Sequence, residues 1–163
     1  MVRFLSLRSS DRGRLQQVKR MYGRYRRAFP GIAEISAAAA LELTAGGLVV
    51  FVDIRDPAEQ AISMLPGAVT GEELLTDPDH FADHPLVAYC TVGYRSGKFV
   101  QRYSDRFPRL QNLEGGILAW LHAGGQVYHR NLPTRRVHVY GERWLLQPAG
   151  YEPVYDQNTS QKV

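Results

Sequence analysis

Two short apolar runs, LVVFV at 48–52 and LVAY at 86–89, break off abruptly into polar residues. Uninterrupted runs of this length, rich in β-branched and aromatic side chains, predict strands buried on both faces of a sheet. Shorter strands are expected at 68–69, after the Pro66-Gly67 turn, and at 110–113. Between them the pattern turns helical. Phe99, Val100, Tyr103 and Phe107 share one side of a helix over 96–107 that Ser96 opens and Pro108 follows. Ser36 caps an alanine-rich helix over 37–43 that stops at Gly46-Gly47. Another helix, over 117–122, contains Trp120 and closes at Gly124-Gly125. Weak helical signal covers 58–65, and Leu74, Leu75 and Phe81 are packing positions for one or two short helices within 72–84. Strands alternating with helices over 35–127 predict an α/β domain, a small, mostly parallel sheet with helices on both faces.

Two extensions flank that domain. In 1–34, Leu15, Val18, Tyr22, Tyr25 and Phe29 recur at three- and four-residue spacing, giving an amphipathic helix with one apolar stripe. Ser9, Ser10 or Asp11 caps it and Pro30-Gly31 stops it. Over 128–163 the signal weakens: Val137, Val139 and Trp144-Leu145 hint at a short extended segment, and 157–163 reads as disordered.

Charge sharpens this division. Residues 1–30 hold nine Lys or Arg against one acid, so the rest of the chain, with eleven basic and fifteen acidic side chains, is mildly acidic. The pI therefore belongs to the N-terminal arm, and no nucleic-acid partner is expected for the body. A docked helix, an organellar transit peptide, and a contact with anionic lipid or nucleic acid all fit the arm's composition. No apolar run approaches the roughly 20 residues that span a bilayer. A single cysteine excludes an intrachain disulfide framework and a multi-cysteine zinc site, and suggests a reducing compartment. A cytoplasmic location is expected, or an organellar matrix or stroma if the arm is an address.

That cysteine, Cys90, stands where the second apolar run ends. Thr91, Val92, Gly93, Tyr94, Arg95 and Ser96 then bend the chain into a helix N-terminus, whose free N–H groups and dipole favour an anion. An unpaired cysteine is commonly a small buried hydrophobe. In this position it becomes a nucleophile at the entrance of an anion-binding nest, with Arg95 close by and Gly93 allowing close backbone approach. Asp53 and Glu114 are the other polar residues at strand ends, where ligands bind in parallel sheets. His80 and His84 have a metal-compatible spacing, but Pro78 and Pro85 bracket them and no protease-type glutamate follows, so neither metal nor cofactor is expected.

Cys90-Thr91-Val92-Gly93-Tyr94-Arg95-Ser96-Gly97 resembles the active-site loop of rhodanese-like sulfurtransferases. Asp53-Ile54-Arg55 is similar to the family's D-[VI]-R, Leu65-Pro66-Gly67-Ala68-Val69 to its I-P-G-A-[IV] turn, and Leu113 to Trp120 to its L-x-G-G-[IFL]-x-A-W segment. The resemblance covers about 35–127 and implies a single-domain sulfurtransferase. Its implied partners are a small anionic sulfur donor such as thiosulfate and a thiol, cyanide or protein acceptor. It implies Cys90 as persulfide carrier, the loop 91–96 as its binding site, and Asp53 and Arg55 as supports that brace the loop or simply close the strand end. The C-x4-R loop is one residue shorter than the C-x5-R loop of cysteine phosphatases, which argues against a tetrahedral oxyanion substrate. Met64 stands where the family often has histidine. The alternative is a non-catalytic rhodanese-fold binding or regulatory module acting through the basic helix.

Overall fold

The computed structural model describes residues 2–156, with side chains from Asp11 onward; the expected disordered tail lies outside them. In chain order the elements are α1 (Val2–Tyr25), β1 (Glu34–Ile35), α2 (Ala37–Ala45), β2 (Val50–Asp53), α3 (Pro57–Gln60), β3 (Val69–Thr70), α4 (Gly71–Thr76) and α5 (Pro78–Phe81). There follow β4 (Leu86–Tyr89), α6 (Tyr94–Tyr103), β5 (Leu110–Leu113), α7 (Gly116–His122), β6 (Val127–His129), β7 (Leu132–Thr134), β8 (Arg136–His138) and β9 (Glu152–Val154).

Five strands form one sheet in the order β1-β5-β4-β2-β3, every neighbouring pair parallel. The unbroken apolar runs become its middle because both faces are covered. Phe51, Val87, Tyr89 and Leu113 point into one core with Val18 and Tyr22 of α1, Ala40 of α2 and Ile117 and Trp120 of α7. Val52, Leu86, Ala88 and Leu110 point into the other, with Leu74 of α4 and Val100 of α6. Alternate residues of a strand face opposite ways, so a strand between two cores needs apolar side chains at every position.

The structure corrects several expected boundaries. β2 begins at Val50, and Leu48 is exposed beyond the sheet edge. α6 opens at Tyr94 rather than Ser96, because Gly93 (φ 110°) turns the chain into the helix two residues sooner. α1 runs straight through residues 9–11, so Asp11 caps nothing there. Its carboxylate instead accepts the Ala149 amide (2.9 Å) from the C-terminal extension. The side chains of Ser9 and Ser10 lie outside the described set.

The extension after α7 is far more ordered than its sequence suggests. β6 and β7 form a hairpin whose two turn residues, Arg130 and Asn131, both have positive φ, as a two-residue primed turn requires. Met64, the substituted position, is paired to this hairpin by backbone hydrogen bonds with Tyr128 in both directions (2.9 Å each). β8 and β9 pair in parallel, burying Val137 and Val139 completely. Trp144 lies in a 3₁₀ turn, not in an extended segment.

Candidate active site

Cys90 is the first residue beyond β4, and the turn that follows is fixed from three directions. The N-terminal amides of α7 reach across it: Ile117 N donates to Cys90 O (2.9 Å) and Leu118 N to Thr91 O (3.3 Å). Asn112 of β5 donates to Gly93 O (3.0 Å). From outside, Tyr22 of α1 presses on the loop, and a Cβ on Gly93 would lie 2.7 Å from its ring. Positive φ and this contact both require glycine at 93. Phe29 packs so tightly on Gly97 that a Cβ there would fall 2.3 Å from the ring. The apolar stripe of α1 is thus built into the back of the loop, while Arg12, Lys19, Arg20, Arg24, Arg26 and Arg27 remain exposed.

The sulfur itself is buried, with only 2% of Cys90 exposed. Gly93 N donates to Sγ at 3.2 Å and Ser96 Oγ at 3.5 Å. Ser96, expected to open the helix, therefore sits within its first turn as a buried donor to the sulfur. The first-turn amides of α6 have no intrahelical acceptor and face the same end of the helix.

Arg95 is not the free cation that the loop alone suggests. Its guanidinium grips Glu59 of α3 with two hydrogen bonds (Nη1 to Oε2 2.6 Å, Nη2 to Oε1 2.9 Å) and donates to Thr91 Oγ1 (3.2 Å). It also lies 5.1 Å from the centre of the Tyr140 ring. Burial alone would raise the Glu59 carboxyl above its usual range and lower Arg95. Their mutual hydrogen bonds and charge outweigh burial, holding the carboxyl well below that range and the guanidinium above its own. His138 Nδ1 approaches Glu59 Oε1 (3.6 Å) but accepts the Tyr140 amide (3.2 Å), so the ion pair is with Arg95. Nothing in the sequence singles out Glu59; its place three residues after Asp56, at the start of a helix, is the one local signal it carries. Asp56 and Glu59 do form a capping box, which then aims the carboxylate at the loop.

Asp53 and Arg55 form a separate, closed cluster. Arg55 Nε and Nη2 bind the two oxygens of Asp53 (3.0 and 2.7 Å), and Nη2 also donates to Ser63 O (2.6 Å). Tyr89, next to Cys90, donates its hydroxyl to Asp53 Oδ2 (2.6 Å) and accepts the Leu65 amide (3.1 Å). Neither Asp53 nor Arg55 touches the sulfur. They hold the end of β2 against the residue that precedes it.

A pocket of about 410 Å³ opens over Cys90. Thr91, Val92, Tyr94 and Arg95 line it, together with Tyr25 from α1 and Tyr140 and Trp144 from the C-terminal extension. Tyr25 meets Tyr94 edge to face (5.5 Å), as Tyr140 does Trp144 (5.1 Å). Tyr140 adopts φ 47°, a backbone region that side-chain-bearing residues seldom use. Nothing in the sequence marks Tyr140 or Trp144 as part of the site, and Tyr25 shows there only as a member of the apolar stripe of α1. No periodicity joins residues some fifty positions from Cys90 to its loop. Glu114 stays outside the pocket, and His80 and His84 are exposed in and beside α5. Among the described residues no group of three His, Cys, Asp or Glu could hold a metal ion.

Comparison with known proteins converges on the same fold. A sulfurtransferase from Allochromatium vinosum is 36% identical over 86 residues, covering 47% of this chain and 75% of that protein. The fold matches a solved protein of unknown function from Rhodopseudomonas palustris, described as a possible tyrosine phosphatase (TM-score 0.53, 28% identity), over 68% of this chain and 93% of that one. It also matches the thiosulfate sulfurtransferase of Pseudomonas aeruginosa (TM-score 0.56, 22% identity), over 71% of this chain and 23% of that one, a likeness of fold alone. A sequence model of the rhodanese-like domain fits residues 36–123, from the cap of α2 to the end of α7. With more than half of its length matched and the five-stranded parallel sheet in place, the chain belongs to the rhodanese-like domain family.

Proposed function

We propose that this protein is a sulfurtransferase in which Cys90 carries a sulfane sulfur as a persulfide. The observation that carries the proposal is the setting of Sγ: buried at a strand end, hydrogen-bonded by Gly93 N and Ser96 Oγ, on the floor of an open pocket. Such donors can hold an anionic sulfur in place. Family membership and the sulfurtransferase from Allochromatium vinosum support the reaction class.

With thiosulfate as donor, the Cys90 thiolate attacks the outer sulfur. The Sγ–S bond forms, the bond to the sulfonate sulfur breaks, and sulfite leaves with the electron pair. An acceptor such as cyanide or a thiolate then takes the outer sulfur and returns Cys90 as thiolate. The N–H groups of the loop 91–96 and the α6 dipole hold the outer sulfur while it is anionic. Asp53, Arg55 and Tyr89 act through the backbone, fixing the strand end from which Cys90 projects. The short C-x4-R loop suits one sulfur better than a phosphate, which favours this reading over that suggested by the Rhodopseudomonas protein's description.

The test is direct. Incubated with thiosulfate, the wild-type chain is expected to gain the mass of one sulfur atom at Cys90 and to release thiocyanate on adding cyanide. Cys90→Ser is expected to do neither. Absence of the adduct in wild type from thiosulfate and from organic persulfides alike, or full turnover in Cys90→Ser, would overturn the proposal.

A further inference from the structure

The pocket over Cys90 has an unusual balance of charge and aromatic surface. Among the described residues its one lining cation, Arg95, is already matched by the buried carboxylate of Glu59, and the exposed Asp56 stands 4.0 Å from the same guanidinium. The walls are four aromatic rings, Tyr25, Tyr94, Tyr140 and Trp144. Three of them come from outside the matched family segment: Tyr25 precedes residue 36, and Tyr140 and Trp144 follow residue 123. A further charged group against the rings, Arg143, is exposed and lies over Trp144 at 5.8 Å. A small dianion gains little here, because the nearest guanidinium is neutralised. An uncharged ring or short aliphatic body gains contact on several sides.

We infer that Tyr25, Tyr94, Tyr140 and Trp144 form a specificity collar that selects an organic thiol with an apolar or aromatic body as the sulfur acceptor. This inference rests on Cys90 being the persulfide carrier. The thiolate enters with its carbon body among the rings and its sulfur toward Cys90. It attacks the outer sulfur of the Cys90 persulfide, a new S–S bond forms, and the old one breaks with its electron pair on Sγ. The products are an organic persulfide and the Cys90 thiolate. Run in reverse, the same step loads Cys90 from an organic persulfide.

The experiment uses the full chain, loaded to the Cys90 persulfide with thiosulfate or, if that fails, with benzyl persulfide. Discharge is followed by mass as the adduct is lost to benzyl mercaptan or to 2-mercaptoethanol, two alkanethiols of similar acidity. Benzyl mercaptan is expected to discharge wild type at least ten-fold faster. The ratio is expected to fall toward one in Trp144→Ala and, should that variant unfold on heating much earlier than wild type, in Tyr25→Ser. Equal rates in wild type, or a ratio unchanged in a folded collar variant, would overturn the collar while leaving the sulfurtransferase intact. Failure to load from either donor would overturn the sulfurtransferase reading, and the collar with it.

Discussion

Two arginines in this protein are each clasped by one carboxylate, yet they sit in opposite surroundings. Arg55 and Asp53 have no side-chain exposure at all, and Tyr89 and Ser63 O bind them further, while Arg55 Nη1 is buried without a partner. Arg95 keeps 28% of its side chain exposed while Glu59 keeps 4%. The first pair is a fixture: neither partner can leave without stranding a bare charge in the core. The second has one side toward the pocket, so the degree to which Glu59 neutralises its guanidinium sets the charge that an incoming group meets. Burial, more than hydrogen-bond count, separates a brace from a group that can work.

The sharpest way to break the comparison is to remove one charge of the buried pair. Asp53→Asn leaves Arg55 uncompensated beneath the sheet and is expected to cost about 3–5 kcal/mol of folding stability. Urea unfolding measures this, and a loss under about 1 kcal/mol would show that the cluster is idle. Burial depresses the guanidinium's basicity and the charge of Asp53 more than restores it; with Asp53 gone the arginine still stays charged, because a guanidinium is intrinsically too basic to lose its proton near neutral pH.

Glu59→Gln is expected to have a smaller stability effect and a larger functional one. The amide retains a hydrogen-bonding oxygen but not the charge, and Arg95 reaches solvent, so about 1–3 kcal/mol is lost. A guanidinium no longer neutralised should attract thiosulfate better, lowering its half-saturating concentration several-fold in the sulfur-loading assay. An unchanged value would mean that Arg95 does not meet the donor. The effect also has a pH signature. Because the folded Glu59 carboxyl titrates below its ordinary value, its stabilisation is complete above the unfolded value of about 4.3 and fades as pH falls below it. The stability gap between wild type and Glu59→Gln should therefore be constant from about pH 7 to pH 5 and close at lower pH.

The comparison also marks what could be read in advance. The Asp53-Ile54-Arg55 spacing, the apolar runs of β2 and β4 and the cysteine at a strand end are local features, each decided within a few residues. The sheet and the loop followed from them. Glu59 went unread, since its partner lies 36 positions away and only its capping-box spacing from Asp56 is local. Nothing in the sequence tied Tyr140 and Trp144 to the loop, because they lie between β8 and β9, strands of three residues each with no long apolar run to announce their pairing. The stripe of α1 was visible, but not its target. That Gly93 and Gly97 are small partly to admit Tyr22 and Phe29 is a fact of packing between distant segments.

A third pair extends the series to the surface. Arg26, just beyond α1, binds Glu34 of β1, with 51% of the arginine side chain and 15% of the carboxylate's exposed. Glu34 also accepts the Tyr22 hydroxyl, so removing the acid would disturb two contacts, and the arginine is the cleaner target. Water already solvates much of Arg26, and holding a long side chain in one rotamer costs entropy that offsets the attraction. Arg26→Ala is expected to cost no more than about 1 kcal/mol, and less at high salt, where screening weakens a pair this open. Thermal or urea unfolding at low and high sodium chloride measures both. A loss as large as that of Glu59→Gln, and insensitive to salt, would mean that Arg26 anchors α1 through its packing on the Tyr22 ring, 6.0 Å away, and that charge pairing at this seam is incidental.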